Sequence, residues 1–401
     1  MNKLFLLIGC LFIFCAFLFD TQNNIAKFHT QVLGCTLITA NDCQRPSVAK
    51  LATNKLVVAY DEGVTAVSRV GTYTQNGAVT WGSVSTAFSD DCEVTTSDSA
   101  GPVLCVLDTD KFLVAYVEDA SADDLYATEC TVSGTTVNLG TEKEIANTDA
   151  EWMDLVCLTP STAVCVFNDE TNSDTASAVL INTTNMYGLS NSLTIDLDSA
   201  SVDYYPARMT ANKVADNQFI YAFRATDISS HGHIGSSTTS GLGLVSKGTI
   251  VKYIAETTSW HGISMLNSTQ GMVATNGGGL RQSFFPFTLS GTTITMGAEL
   301  SADITGGSFL SPYCLNNNLA FSVVANDYGK ALQDIVLFMN TDMANRQIKS
   351  VLEKQELSIN QILGAQLMVS DIAFLGDNLY AVAMVEATSL DAYLCFIRVE
   401  T

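Results

Sequence analysis

The chain has 401 residues, 41 of them acidic and 19 basic, for a formal net charge of −22, and 47% are hydrophobic. That much apolar content can bury a sizeable core and excludes wholesale disorder. The acidity leaves no basic face for a phosphate backbone and excludes a nucleic-acid partner.

The first element is a leader. Lys3 is followed by an unbroken apolar run of 16 residues, Leu4 to Phe19, and then by the polar Asp20-Thr21-Gln22-Asn23-Asn24. A positive start and an apolar stretch form a secretory signal. The run also comes close to the ~17 residues that span a bilayer. Residues 1–24 therefore read as a signal peptide or as an uncleaved signal-anchor. Either carries residues 25–401 out of the cytosol, secreted or tethered to a membrane through this segment alone.

Beyond the leader no run of ten or more residues reads as a helix, and one short strand recurs seven times: KLVVAYDE (55–62), KFLVAYVED (111–119), TAVCVFND (162–169), QFIYAFRA (218–225), QGMVATNG (270–277), LAFSVVAND (319–327) and NLYAVAMVE (378–386). Aligned on Tyr60, Tyr116, Phe167, Phe223, Thr275, Val324 and Met384, the steps are 56, 51, 56, 52, 49 and 60 residues. Nearly continuous apolar runs suit a strand covered on both faces. Hairpins follow in GTYTQNGAVTWGSVSTAF (71–88), YATECTVSGTTVNLGTEKEIAN (126–147) and FFPFTLSGTTITMGAEL (284–300). Their turns are Asn76-Gly77, Ser133-Gly134 and Ser290-Gly291, where glycine supplies a positive φ. A further short strand precedes each buried one, as in VLCVL (103–107) and LVCL (155–158). Four antiparallel strands per fifty-odd residues is the unit of a β-propeller blade.

The ends of the chain extend this pattern. DAYLCFIRVET (391–401) aligns with the third strand of blade 2, DLYATECTVSG (124–134). The missing fourth strand is found at the start, where VLGCTLITAND (32–42) matches NLGTEKEIANTD (138–149). The expected fold is all-β: one seven-bladed β-propeller over residues 25–401, closed by an N-terminal strand that completes the C-terminal blade. The blades fall near residues 43–91, 99–149, 151–199, 202–257, 258–304, 308–362, and 366–401 with 27–42. Such a ring leaves no open sheet edge.

KFLVAY (111–116) and VSGTTVNLG (132–140) resemble the repeats of exported seven-bladed β-propeller proteins. The resemblance rests on packing residues and implies architecture only. The Gly-His and Trp-Asp pattern of WD repeats is absent. The Asp box of sialidases is echoed only by TQNGAVTW (74–81), where the spacing and the Asp both fail. Propellers serve as lectins, sialidases and scaffolds, so the fold does not choose among them.

Nine cysteines follow the leader, and no pair has the C-x-x-C spacing of a zinc or redox site. Cys105, Cys157, Cys165 and Cys314 fall within strands and read as buried hydrophobes. Export permits disulfides. Cys35 and Cys395 lie on the two strands that close the ring and are a candidate clasp, and Cys43 and Cys92 are a second candidate pair. His231-Gly232-His233 lies in ISSHGHIGSSTTSGLG (228–243), which reads as a solvated loop rather than a metal site. Asn182 and Asn267 head glycosylation sequons.

Fifteen residues before the aligned strand position stand Arg45, Trp152, Arg208, Trp260 and Phe309, with Tyr204 and Tyr205 close to Arg208. Loops at blade starts converge around the channel of a propeller. They are acidic here, with Asp90, Asp91 and Asp203 among their carboxylates. Aromatic faces beside carboxylates suit a sugar ring or a cation. The same large side chains equally serve as wedges between blades, and the carboxylates as a solvated rim. The expected ligand-binding set is Trp152, Tyr204, Tyr205, Trp260, His261, Asp90, Asp91 and Asp203. No cofactor is expected, with a loop-bound Ca²⁺ as the alternative, and no catalytic or metal residues are assigned. The reading is a non-catalytic recognition or structural module for a glycan or an extracellular protein. The alternatives are a sialidase-like glycoside-processing enzyme, with Arg45, Arg208 and Arg281 as its cations, and a surface-assembly protein.

Overall fold

The computed structural model describes residues 29–400, except 44, 89–91, 93–100, 119–123, 170, 172–174, 184–186, 189–192, 195–208, 226–230, 241–244, 257, 259, 278–280, 306–309, 326–333, 358, 360–366 and 387–388. Its strands form seven antiparallel sheets, spanning 47–84, 103–146, 150–194, 210–254, 261–305, 310–357, and 367–400 with 29–39. Each sheet is one blade of a β-propeller. The first strand of each blade is innermost and contacts the first strands of the blades on either side, so the seven ring a common axis.

The repeated apolar segments are the second strands: Lys55–Glu62, Lys111–Glu118, Thr162–Asp169, Gln218–Ala225, Gln270–Gly277, Leu319–Ala325 and Leu379–Glu386. Each lies between its blade's first and third strands and is covered on both faces by adjacent blades, which is why its apolar run is unbroken. Tyr60, Tyr116, Phe167, Phe223 and Tyr380 on these strands are fully buried. The core is correspondingly divided into seven clusters, one per blade interface, including one between blades 7 and 1. Gly77, Gly134 and Gly291 have φ of 78°, 65° and 57° in their hairpin turns.

In the last blade the N-terminal strand His29–Thr39 is the outermost. It pairs with Ala392–Glu400 at nine registered positions, with Cys35 opposite Cys395. Those two cysteines form a disulfide.

The inner strands are laced to one another around the channel. Leu104 N–H donates to Ser47 Oγ at 3.4 Å between blades 1 and 2. Ala211 N–H donates to the Asp154 carboxylate at 2.8 Å between blades 3 and 4. Cys314 N–H donates to Ser264 Oγ at 3.0 Å between blades 5 and 6. Val48 N–H donates to Asp371 at 2.9 Å between blades 1 and 7. Asn212 Nδ2 reaches the Ile263 carbonyl across blades 4 and 5 at 3.4 Å. Between blades 6 and 7 the rings of Tyr313 and Phe374 lie 5.8 Å apart.

The link between blades 2 and 3 corrects the sequence reading. Cys105 and Cys157, read as packing residues, form a disulfide with Cα atoms 5.6 Å apart. Similar positions on neighbouring inner strands face each other in a ring, which spacing along the chain does not reveal. Cys43 and Cys92 form no disulfide; both are buried, at different interfaces, those of blade 1 with blade 7 and with blade 2. Cys130, Cys165 and Cys314 are also buried without a disulfide, and burial pushes their thiols up, that of Cys314 to about 12. A second correction concerns the His-Gly-His segment. It opens the third strand of blade 4, His231–Thr239, and both histidines are buried. Its small residues make room within the blade: Gly235 stands opposite Tyr221 on the second strand, whose hydroxyl oxygen would lie 2.4 Å from a Cβ there.

Candidate functional site

The inner strands all begin at one end of the ring, and Arg45, Trp152 and Trp260 stand at or beside the starts of three of them, in blades 1, 3 and 5. The structure brings them together. The Arg45 guanidinium carbon lies 3.8 Å from the centroid of the Trp152 ring, and the Trp152 and Trp260 rings meet edge to face at 5.9 Å. Such a cation–π contact contributes about 0.5–2 kcal/mol, depending on desolvation. Trp152 adopts φ 47° within a register irregularity between Glu151 and Asp154. A bulge of this kind redirects a side chain at the cost of backbone strain. Trp260 is fixed from the adjoining strand: its N–H donates to Asn276 Oδ1 and its carbonyl accepts from Thr275 Oγ1, both at 2.8 Å.

Below this cluster lies a cavity of about 270 Å³ in the channel, lined by residues of all seven inner strands. Asp154 and Asp371 contribute carboxylates to the lining, and among the described residues no lysine or arginine does. Each carboxylate braces two blades. Asp154 accepts from Leu155 N–H and from Ala211 N–H, and Asp371 from Ile372 N–H, Val48 N–H and Ser47 Oγ. Ser47, Asn212 and Ser264 add neutral polar groups to the wall.

His261 also lines the cavity and is 3% exposed. Its Nδ1 is hydrogen-bonded to the Tyr253 hydroxyl, and its Nε2 has no partner among the described residues. Burial, reinforced by the positive Arg224 and by His233, lowers its pKa to about 3, so the ring is neutral. Burial likewise pushes the Tyr253 hydroxyl up, and it keeps its proton.

Of the ligand set read from the sequence, Trp152, Trp260 and His261 are thus at the channel. Trp152 is 4% exposed, with one ring face under Arg45. Tyr204, Tyr205, Asp90, Asp91 and Asp203 lie outside the described residues. Arg281 starts the third strand of blade 5 and is exposed. Asn267 is exposed at the end of the first strand of blade 5; Asn182 also ends a strand, and the next residue, Thr183, is 3% exposed. The sequence reading singled out neither Asp154 nor Asp371. A signal existed: two residues past the column of Arg45 and Trp152 stand Ser47 and Asp154, and Asp371 holds the same place in the last blade. Among the described residues no three His, Cys, Asp or Glu side chains gather as a metal site.

The chain is a seven-bladed β-propeller, and it is similar in structure to other propeller proteins. The lectin BP39L from Burkholderia pseudomallei superposes with a TM-score of 0.59 at 10% identity, over 89% of this chain and 96% of that one. A protein of unknown function from Dyadobacter fermentans gives 0.55 at 12% identity, over 92% and 99%. The periplasmic gluconolactonase PpgL of Pseudomonas aeruginosa gives 0.50 at 10% identity, over 78% and 85%. No protein-family model matches the sequence, and no curated protein matches it. Identities this low establish the fold and nothing finer.

Proposed function

We propose that this chain is a non-catalytic recognition module working outside the cytosol, with its ligand, a glycan or a segment of an extracellular protein, held at the channel mouth. One observation carries the reading: residues of blades 1, 3 and 5, more than 200 positions apart at the extremes, meet over a polar cavity bounded by every blade. Concave sites with a few converging polar and aromatic groups are where propeller-sized scaffolds hold small ligands. The lectin similarity agrees with this use of the fold. Two disulfides and the apolar leader support export, since such bonds persist in oxidising compartments. The two carboxylates in the channel are engaged in joining blades, an arrangement that favours a binding role over acid–base work.

Intrinsic fluorescence gives a direct test, because two of the three tryptophans, Trp152 and Trp260, are at the mouth and the third is Trp81. In a Trp81→Phe variant of residues 25–401, glycans that score on an array are expected to shift the emission on titration, and Trp260→Ala to abolish both signal and binding. Array hits that leave the emission unchanged and survive Trp260→Ala would move the site elsewhere. A folded protein with no ligand in glycan or protein-capture screens would sink the reading.

A further inference from the structure

Charge is distributed unevenly along the ring axis. First and third strands run away from the mouth and second and fourth strands run towards it, so the connections between blades and between second and third strands lie at the mouth end, and the turns joining first to second and third to fourth strands at the other. At the mouth end stand Asp42, Glu62, Glu118, Asp149, Glu256 and Glu386, with few described cations besides Arg45, Arg224 and Arg281. At the turn end stand Lys50, Lys55, Lys111, Lys213, Lys349 and Arg398. The ion pairs Lys111–Glu129, Lys213–Asp216 and Lys349–Asp342 also lie there. Among the described residues negative charge is therefore in excess around the mouth, while the far end is close to balanced. The channel carries no described positive charge to offset it, apart from the Arg45 guanidinium above. Its cavity holds two carboxylates and no lysine or arginine among the described residues. It is lined by His261, 97% buried and neutral, whose Nε2 lacks a partner among the described residues. The aromatic ring above it already carries a guanidinium on its face.

We infer that the ligand of the channel mouth is a cationic peptide segment of an extracellular partner, docking on the acidic end of the ring and placing a lysine or arginine side chain in the channel. This inference rests on the recognition reading above and names the ligand class. The face steers the peptide by long-range attraction. Trp260 and the cavity carboxylates then receive one side chain through cation–π and charge-assisted contacts. The cavity, at about 270 Å³, is the size for one long side chain and not for a folded element.

The test uses residues 25–401 carrying Trp81→Phe, titrated with tetra-arginine, tetra-lysine, tetra-glutamate and tetra-glycine, with tryptophan emission as the readout. The arginine and lysine peptides are expected to bind and the other two to show no binding, with affinity falling at least tenfold between 10 and 300 mM salt, as screening requires. Neutralising Asp42→Asn with Glu256→Gln should weaken binding about threefold at low salt, from two unit charges near 10 Å in water. The turn-end pair Asp216→Asn with Asp377→Asn should leave it unchanged. Equal weakening by both pairs would overturn the inference, since it would mean nonspecific attraction to a polyanion. If a neutral glycan shifts the emission and the cationic peptides do not, the inference fails while the recognition reading stands. If nothing in either class does so, both fail.

Discussion

Removing the clasp between the two ends of the chain tests how the ring is held shut. Cys35 and Cys395 are 360 residues apart, and Cys105 and Cys157 are 52 apart. In the chain-entropy treatment, closing loops of these lengths removes unfolded-state entropy worth about 6 and about 4 kcal/mol at 25 °C. Both figures are ceilings, because unfolded chains retain structure and typical measured effects are 2–4 kcal/mol. Their difference, about 1.7 kcal/mol, varies only with the logarithm of the length ratio. The perturbations are the double variants Cys35→Ala/Cys395→Ala and Cys105→Ala/Cys157→Ala, which delete similar side-chain volumes. Unfolding in guanidinium chloride without reductant should give midpoints in the order parent, variant lacking Cys105–Cys157, variant lacking Cys35–Cys395. With reductant the parent should fall to or below both. Hydrogen exchange across Ala392–Glu400 should quicken only in the variant without the clasp, as His29–Thr39 frays from its partner. A clasp-free variant as stable as its parent, or more stable than the other variant, would refute the loop-length argument.

Three further outcomes follow from named contacts. His261 has a native pKa of about 3 and a value near 6.5 when unfolded, so below pH 6.5 the unfolded chain binds a proton that the native chain refuses. Stability therefore rises with pH between about 3 and 6.5; this site should cost about 2 kcal/mol between pH 7 and pH 5, and His261→Gln should remove that dependence from urea midpoints. Asp371→Ala strands the N–H groups of Val48 and Ile372 and should lower stability by about 1–3 kcal/mol, with Asp371→Asn recovering part of it, as read by thermal melting. A Cβ on Gly77 would sit 2.7 Å from Leu33 Cβ and 3.1 Å from Phe396 Cβ, whereas around Gly134 nothing lies within 4 Å. Both have positive φ, so Gly134→Ala should cost about 1 kcal/mol and Gly77→Ala measurably more, and equal melting temperatures would count against the packing of blade 1 on blade 7.

The repeat was legible because a strand covered on both faces leaves a mark that no other position shares. KLVVAYDE, TAVCVFND and QFIYAFRA coincide residue for residue with second strands. The Asn-Gly and Ser-Gly turns were legible for a different reason, since only a positive φ demands that chemistry there. Interfaces between blades were less so. The bond between Cys105 and Cys157, and the reach of Asp154 and Asp371 to the next inner strand, join residues about fifty positions apart or more through the ring's curvature. Periodicity gives the column but not the angle between neighbours. His231 and His233 were hidden because a strand buried between blades tolerates serine and glycine, the same residues that mark a loop. The meeting of Trp152 with Trp260 and Arg45 depends on a bulge with positive φ at a bulky residue, for which the local sequence carries no signature.

Strand direction also decides what each end of the ring is free to do. An inner strand leaves the mouth, so the fourth strand of a blade returns to it, and His29–Thr39 is a fourth strand. Its first residue, opposite Glu400, is therefore at the turn end. Whatever precedes His29 attaches there, on the side of Lys349 and Arg398 and away from Arg45, Trp152 and Trp260. At that end opposite charges are paired at short range. The other end keeps its negative charge in excess, a costly arrangement for the isolated protein because like charges repel. A compact fold tolerates that repulsion most readily on a surface whose working state includes a positive partner, which is why the charge asymmetry and the channel chemistry point to the same ligand class.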